Sequence, residues 1–200
     1  KQRWIDENFG CWYVQTTGIW QTVWLEFLPD EHIEHVKITP NIDTNGVAFD
    51  FRFNGAHNKH LRVETIISFN GKLVKQFSFS PDRAQMYFEI NILSEIHEWK
   101  VMHWSPERPH LYDVTFRLFK DEALQDEVNA YFGMRKISIK DGQVLLNNKP
   151  IYQKLLLDQG YWPDTMLTPP SDEAMLADIE NTLAMGFNGV RKHQKIEDER

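Results

Sequence analysis

Cysteine is nearly absent from this chain. Cys11 is its one thiol, so no internal disulfide can form and the fold must rest on packing or on a reducing compartment. Cytoplasmic residence is the expectation that follows. Because the chain opens abruptly at Lys1-Gln2-Arg3-Trp4, a leader upstream is not excluded by it. Cations are also scarce: 22 Lys+Arg against 29 Asp+Glu leave a net charge of −7, which argues against a grip on nucleic acid or on an anionic membrane. No apolar run approaches the roughly 20 residues of a membrane-spanning helix. Glycine-rich phosphate loops and nucleophile elbows are missing as well, which removes nucleotide-dependent and serine-hydrolase readings. What the chain has in plenty is apolar and aromatic residues, 42% and 13%, enough for a sizeable core.

Those residues alternate. Val47, Phe49, Phe51 and Phe53 occupy every second position of one stretch, the period that gives a pleated strand one buried and one wet face. The same period returns in Leu61 to Phe69, in Met86 to Ile92 and in Tyr112 to Leu118. Asn45-Gly46, Asn54-Gly55, Asn70-Gly71 and Asp141-Gly142 supply the positive φ angles of tight hairpins, Asn70-Gly71 most plainly because it joins two apolar runs. Strands near 34–40, 47–54, 61–69, 72–79, 85–92, 111–119 and 125–134 follow, the set of an immunoglobulin-like antiparallel sandwich without the Cys…Trp…Cys signature of antibody domains. Ahead of them Val23, Leu25 and Phe27 predict one more strand, the last of a preceding domain.

Past the sandwich the pattern changes. Met175, Leu176, Ile179, Leu183 and Phe187 fall three or four apart, as one face of a helix requires. Ser171 suits its N-cap, Asp172 and Glu173 its first turn, and Gly186 its end. Asn188-Gly189-Val190-Arg191 then reads as a strand, so a parallel α/β unit opens here.

Three segments in this order resemble glycoside hydrolase family 2. They are Thr17-Gly18-Ile19-Trp20-Gln21-Thr22-Val23-Trp24-Leu25-Glu26, then Trp104-Ser105-Pro106-Glu107-Arg108-Pro109-His110-Leu111-Tyr112, and then the run from Phe132-Gly133-Met134-Arg135 through Leu146-Asn147-Asn148-Lys149-Pro150 to Gly186-Phe187-Asn188-Gly189-Val190-Arg191. The resemblance implies residues 1–32 as the end of a jelly-roll domain, 33–136 as the immunoglobulin-like sandwich and 137–200 as the first part of a (β/α)₈ barrel. It also implies a parent enzyme that hydrolyses β-glycosides with retention through two glutamates located beyond Arg200. The substrate would be a carbohydrate; no cofactor and no metal are called for, and a homo-oligomer is compatible with the reading.

Within this chain the resemblance points to binding groups only. Arg191 should sit at the carboxyl end of a barrel strand, where a guanidinium fork keeps a nucleophilic carboxylate ionised and oriented. His193 and Asp158 could hydrogen-bond sugar hydroxyls from neighbouring strand ends. Two departures stand out: Gln159 replaces the family's sugar-contacting histidine, and His193 comes one position early after Arg191. Trp162 beside Tyr161 could stack on a pyranose, but packing in a loop is the reading preferred. His32/His35 and His57/His60 lack the geometry and partners of a zinc site. Glu197-Asp198-Glu199 and Asp121-Glu122 read as solvated faces. A stand-alone carbohydrate-binding module is the competing class, and the strand–helix–strand ending in Arg191 argues against it.

Overall fold

The computed structural model describes residues 5, 7, 9–13, 15–55, 60–95 and 98–196. His57 and the Glu197-Asp198-Glu199 run lie outside them. Two compact units emerge, residues 26–151 and residues 1–25 with 152–200.

The seven alternating runs of the first unit are all strands: β1 (His32–Asn41), β2 (Gly46–Asn54), β3 (Leu61–Phe69), β4 (Lys72–Phe79), β5 (Gln85–Asn91), β6 (Tyr112–Lys120) and β7 (Ala123–Phe132). They form two antiparallel sheets, ordered β1-β2-β5 and β4-β3-β6-β7. Asn70 and Gly71 take φ of 50° and 74°, the left-handed pair that lets β3 turn straight into β4, whereas at Asn45-Gly46 only the asparagine is left-handed, at φ 52°, and Gly46 already begins β2. Alternation decides the core. Phe49, Phe51 and Phe53 of β2 are buried, as are Val63 and Ile67 of β3 and Val114, Phe116 and Leu118 of β6. Their rings interlock across the sheets, with Phe116 edge-on to Phe49 at 5.6 Å and to Phe51 at 5.1 Å. The two sheets are therefore the halves of one sandwich.

A three-stranded meander follows in the same unit: β8 (Ile137–Lys140), β9 (Gln143–Leu146) and β10 (Lys149–Pro150). It is seated through Asn147, whose amide donates to the Trp104 carbonyl at 2.8 Å and accepts from the Lys136 N–H at 3.0 Å. The Trp104 side chain lies so close to Gly133 that a Cβ there would sit 3.0 Å from the tryptophan Cβ. The Arg135 guanidinium stands 4.8 Å from the centre of the Trp104 ring on the same junction. Gly133, Arg135 and Asn147 thus have one physical cause, the tryptophan they enclose.

In the second unit β11 (Leu155–Asp158), α1 (Asp172–Ala184) and β12 (Gly189–Lys192) follow in that order, and β11 pairs with β12 in parallel. The helix signals hold: the Ser171 hydroxyl accepts from the Ala174 N–H at 3.2 Å, and Gly186 turns the chain away at φ 84°. Asn188 fixes the start of the strand pair. Its side-chain oxygen accepts from the Lys154 N–H at 2.8 Å, and its own N–H donates to the Lys154 carbonyl at 3.0 Å.

The strand expected at Val23, Leu25 and Phe27 does not form. Residues 22–29 carry no strand assignment, and those three side chains are 74%, 86% and 95% exposed. Alternation supplies two faces but not a neighbour, and the segment belongs to none of the sheets among the described residues. Among the described residues no helix is long and apolar enough to cross a membrane.

Candidate functional site

Arg191, His193 and Asp158 come together at one edge of the parallel pair, the carboxyl ends of β11 and β12. The register sets Leu157 opposite Arg191 and Asp158 opposite Lys192. The ladder runs one bond further, with the His193 N–H donating to the Asp158 carbonyl at 2.8 Å. Paired residues of a sheet share a face and successive residues alternate, so Arg191 projects with Leu157 while Asp158 projects with Lys192. Arg191 is exposed and His193 half-buried.

The Asp158 carboxylate has two partners. One oxygen accepts from the Gly160 N–H at 2.9 Å, closing a short turn, and the other accepts from Lys195 Nζ at 2.8 Å. Both side chains of that ion pair are mostly shielded. Gly160 makes the approach feasible: it has φ 64°, and a Cβ there would collide with the Lys195 methylenes. Lys195 was not among the residues singled out from sequence. It lies 37 positions from Asp158, and no local pattern marks the pair.

Residues 159–162 continue from β11 and carry further polar groups. Gln159 is half-buried, and its Oε1 accepts the hydroxyl proton of Tyr13. The Tyr13 ring lies against Tyr161 at 5.7 Å. Trp162 closes a small loop with Met166, its N–H donating to the Met166 carbonyl at 2.7 Å and its carbonyl accepting the return bond at 3.1 Å. Three buried side-chain atoms here have no hydrogen-bond partner among the described residues: Tyr161 Oη, Trp162 Nε1 and His193 Nδ1. A buried polar group left unpaired costs about 1–3 kcal/mol, so this edge carries hydrogen-bonding capacity in excess of what the loop itself consumes.

Elsewhere the candidates disperse. Asp121 and Glu122 sit in the β6–β7 turn, engaged by His60 and Arg62 at 2.7 and 2.9 Å. The His32 ring bonds the Pro29 carbonyl at 2.8 Å. A cavity of about 710 Å³ in the sandwich unit is lined in part by Arg108, His110, Asn147 and Lys149, from two of the segments that carry the family resemblance, and contains none of Arg191, His193 and Asp158. No group of three or more potential metal ligands occurs among the described residues.

The fold defines a mainly-β chain in which an antiparallel sandwich precedes a parallel strand–helix–strand unit with arginine, histidine, carboxylate and carboxamide groups on its carboxyl edge. Residues 31–135, just over half of the chain, match the family model described as glycosyl hydrolases family 2. The chain belongs to that family. It is 29% identical over 191 residues to a beta-glucuronidase of Streptococcus agalactiae serotype V, covering 94% of this chain and 29% of the relative. It is 26% identical over 205 residues to a beta-galactosidase of Photobacterium profundum, covering 94% of this chain and 19% of the relative. The chain thus spans less than a third of the length of either. In fold it is similar to a glycosyl hydrolase family 2 member from Bacteroides cellulosilyticus, with a TM-score of 0.75 over 97% of this chain and 26% of that one, at 21% identity.

Proposed function

We propose that these residues are part of a retaining β-glycosidase, to which they contribute a structural sandwich and one edge of the sugar site. Residues 1–32 close a jelly-roll domain, and the exposed Val23, Leu25 and Phe27 are the apolar surface that the rest of that domain would cover. Residues 33–136 are an immunoglobulin-like sandwich, a reading supported by the partition into β1-β2-β5 and β4-β3-β6-β7. Residues 137–200 lead into a (β/α)₈ barrel. The observation that carries the reading is the parallel β11–α1–β12 unit with Arg191 and His193 at its carboxyl edge, the edge on which barrels of this type build their sites.

In this mechanism one carboxylate attacks the anomeric carbon while a second protonates the leaving oxygen, about 5 Å away. Both carboxylates lie outside residues 1–200. Arg191 orients the nucleophile and keeps it ionised. His193 offers a ring nitrogen to a sugar hydroxyl. Asp158 does the same with the lone pairs that Gly160 and Lys195 leave to it, since a carboxylate has about four acceptor sites.

Product stereochemistry tests this. The whole protein, given a nitrophenyl β-glycoside that it turns over, should release first the β-anomer of the sugar, as followed by proton NMR of the anomeric signal. Initial release of the α-anomer would replace retention by inversion and remove the proposed mechanism.

A further inference from the structure

The tripeptide Phe-Asn-Gly occurs three times, at residues 53–55, 69–71 and 187–189, and Asn45-Gly46 is a fourth Asn-Gly pair. Asparagine before glycine is open to attack of the main chain on its own side-chain amide, because glycine puts no Cβ in the path of the attacking nitrogen. Three of the four share their local sequence. Differences in their reactivity therefore come from the fold.

The fold holds three of the four pairs. Asn188 accepts from the Lys154 N–H through Oδ1 at 2.8 Å and donates through Nδ2 to the Tyr152 carbonyl at 2.8 Å. Asn54 donates to the Asp30 carbonyl at 3.4 Å, and the same carbonyl crowds Gly55, lying 2.8 Å from where a Cβ would stand. Gly46 is buried and paired on both sides, with Asn41 of β1 and Asn91 of β5. Asn70-Gly71 differs in each respect. Both residues are exposed; among the described residues nothing lies within 4 Å of the Cβ position of Gly71, and the Asn70 amide has no hydrogen bond.

We propose that Asn70 is a site of spontaneous modification, deamidating through a cyclic imide with Gly71 ahead of the other three. Solvent base takes the Gly71 amide proton and the nitrogen bonds to Asn70 Cγ. The Cγ–Nδ2 bond breaks, and the side-chain nitrogen takes up a proton from water and leaves as ammonia. Water then adds to either imide carbonyl and reopens the ring, giving aspartate or isoaspartate. No catalyst beyond solvent is required, and the step does not depend on the glycosidase reading.

The two products act differently on the hairpin. Aspartate tolerates the left-handed φ of 50° much as asparagine does, so the turn survives it. Isoaspartate adds a methylene to the main chain, for which a two-residue loop has no slack. That loop sets the β3–β4 register, through which β4 brings Val74 into the core and Phe77 against it. Isoaspartate at this turn therefore loosens β4.

Peptide mapping by mass spectrometry of the 200-residue chain, held in mildly alkaline buffer, tests this, since exchanging the amide NH₂ for OH adds about 1 Da to the peptide concerned. Each hydrogen bond on the Asn188 amide should slow ring closure roughly fivefold, so the Asn70 peptide should convert about 25-fold faster than the Asn188 peptide. In urea the two should convert at similar rates. Asn70→Asp should melt with the parent chain, and the isoaspartate form, separated by chromatography, should melt lower. Equal rates in the folded chain, or the same gap in urea, overturn the assignment of the reactivity to the fold. An Asn70 peptide that gains mass only in urea overturns the site itself. An isoaspartate form that melts with the parent overturns the effect on β4.

Discussion

The ring of Phe116 on β6 meets that of Phe51 on β2 edge to face, 5.1 Å between centres and 87° between planes, and the contact crosses from one sheet of the sandwich to the other. Both side chains are fully buried, and Phe49 reaches the same ring at 5.6 Å. Removing Phe116 therefore opens a cavity between the sheets. Phe116→Ala should destabilise the chain by about 3–5 kcal/mol, read as a fall in the urea midpoint at unchanged slope. A loss below about 1 kcal/mol would mean that the sheets do not share this core.

Gly133 is expected to be the least replaceable glycine of the sandwich unit that lacks a positive φ angle. A methyl group there meets the Cβ, Cγ and Cδ1 of Trp104 at 3.0–3.2 Å, and the tryptophan is pinned by Asn147 on one side and Arg135 on another. Gly133→Ala should cost about 1–3 kcal/mol through this overpacking. In a Trp104→Ala background, which lacks Cγ and Cδ1, Gly133→Ala should cost less than in the parent chain; an equal cost in both would show that the glycine serves something other than the tryptophan.

Asp43, in the turn between β1 and β2, reaches forward to Lys136 and Asn148. Those hydrogen bonds, the Lys136 ammonium first, hold its carboxyl below the usual carboxylate range. A carboxyl that titrates lower when folded stabilises the folded state at pH above its unfolded value of about 3.9, and that contribution fades as pH falls through the depressed folded value. Asp43→Asn should therefore be less stable than wild type at pH 6, with the gap closing by pH 2. A gap of constant size across that range would deny the ion pair any part in acid stability.

Arg191→Ala in the whole protein should lower turnover by roughly two orders of magnitude or more, the effect of losing a positioned electrostatic partner. Arg191 is exposed at a strand end, so the melting temperature should hardly move. Steady-state kinetics beside a thermal scan decides it: more than half of the wild-type rate would take Arg191 out of the site.

Much of the sandwich was legible because period two is a strong signal. Phe49, Phe51 and Phe53 could only be one face of a strand, and Asn70-Gly71 could only be its kind of turn. The helix was legible for a similar reason, from Ser171 to Gly186. Val23, Leu25 and Phe27 show the limit of that signal, since alternation describes a strand's faces and says nothing about whether a neighbour is present to pair with it. The site edge was legible only in part. Arg191, His193 and Asp158 follow from strand ends, whereas Tyr13 on Gln159 and Lys195 on Asp158 depend on tertiary approach across 146 and 37 positions. Asp43 with Lys136 is the same case in the sandwich unit.

The most direct test sets the 200-residue chain beside the whole protein on a panel of nitrophenyl β-glycosides. The segment 137–200 is far shorter than the roughly 250 residues a closed barrel uses, and the two carboxylates of retaining catalysis are placed outside it. The expected result is turnover by the whole protein and none by the 200-residue chain, with sugar binding by the latter weak or absent. Turnover by the shorter chain that survives repurification and rises with its concentration would contradict the placement of the catalytic carboxylates, and with it the division of labour proposed for these residues.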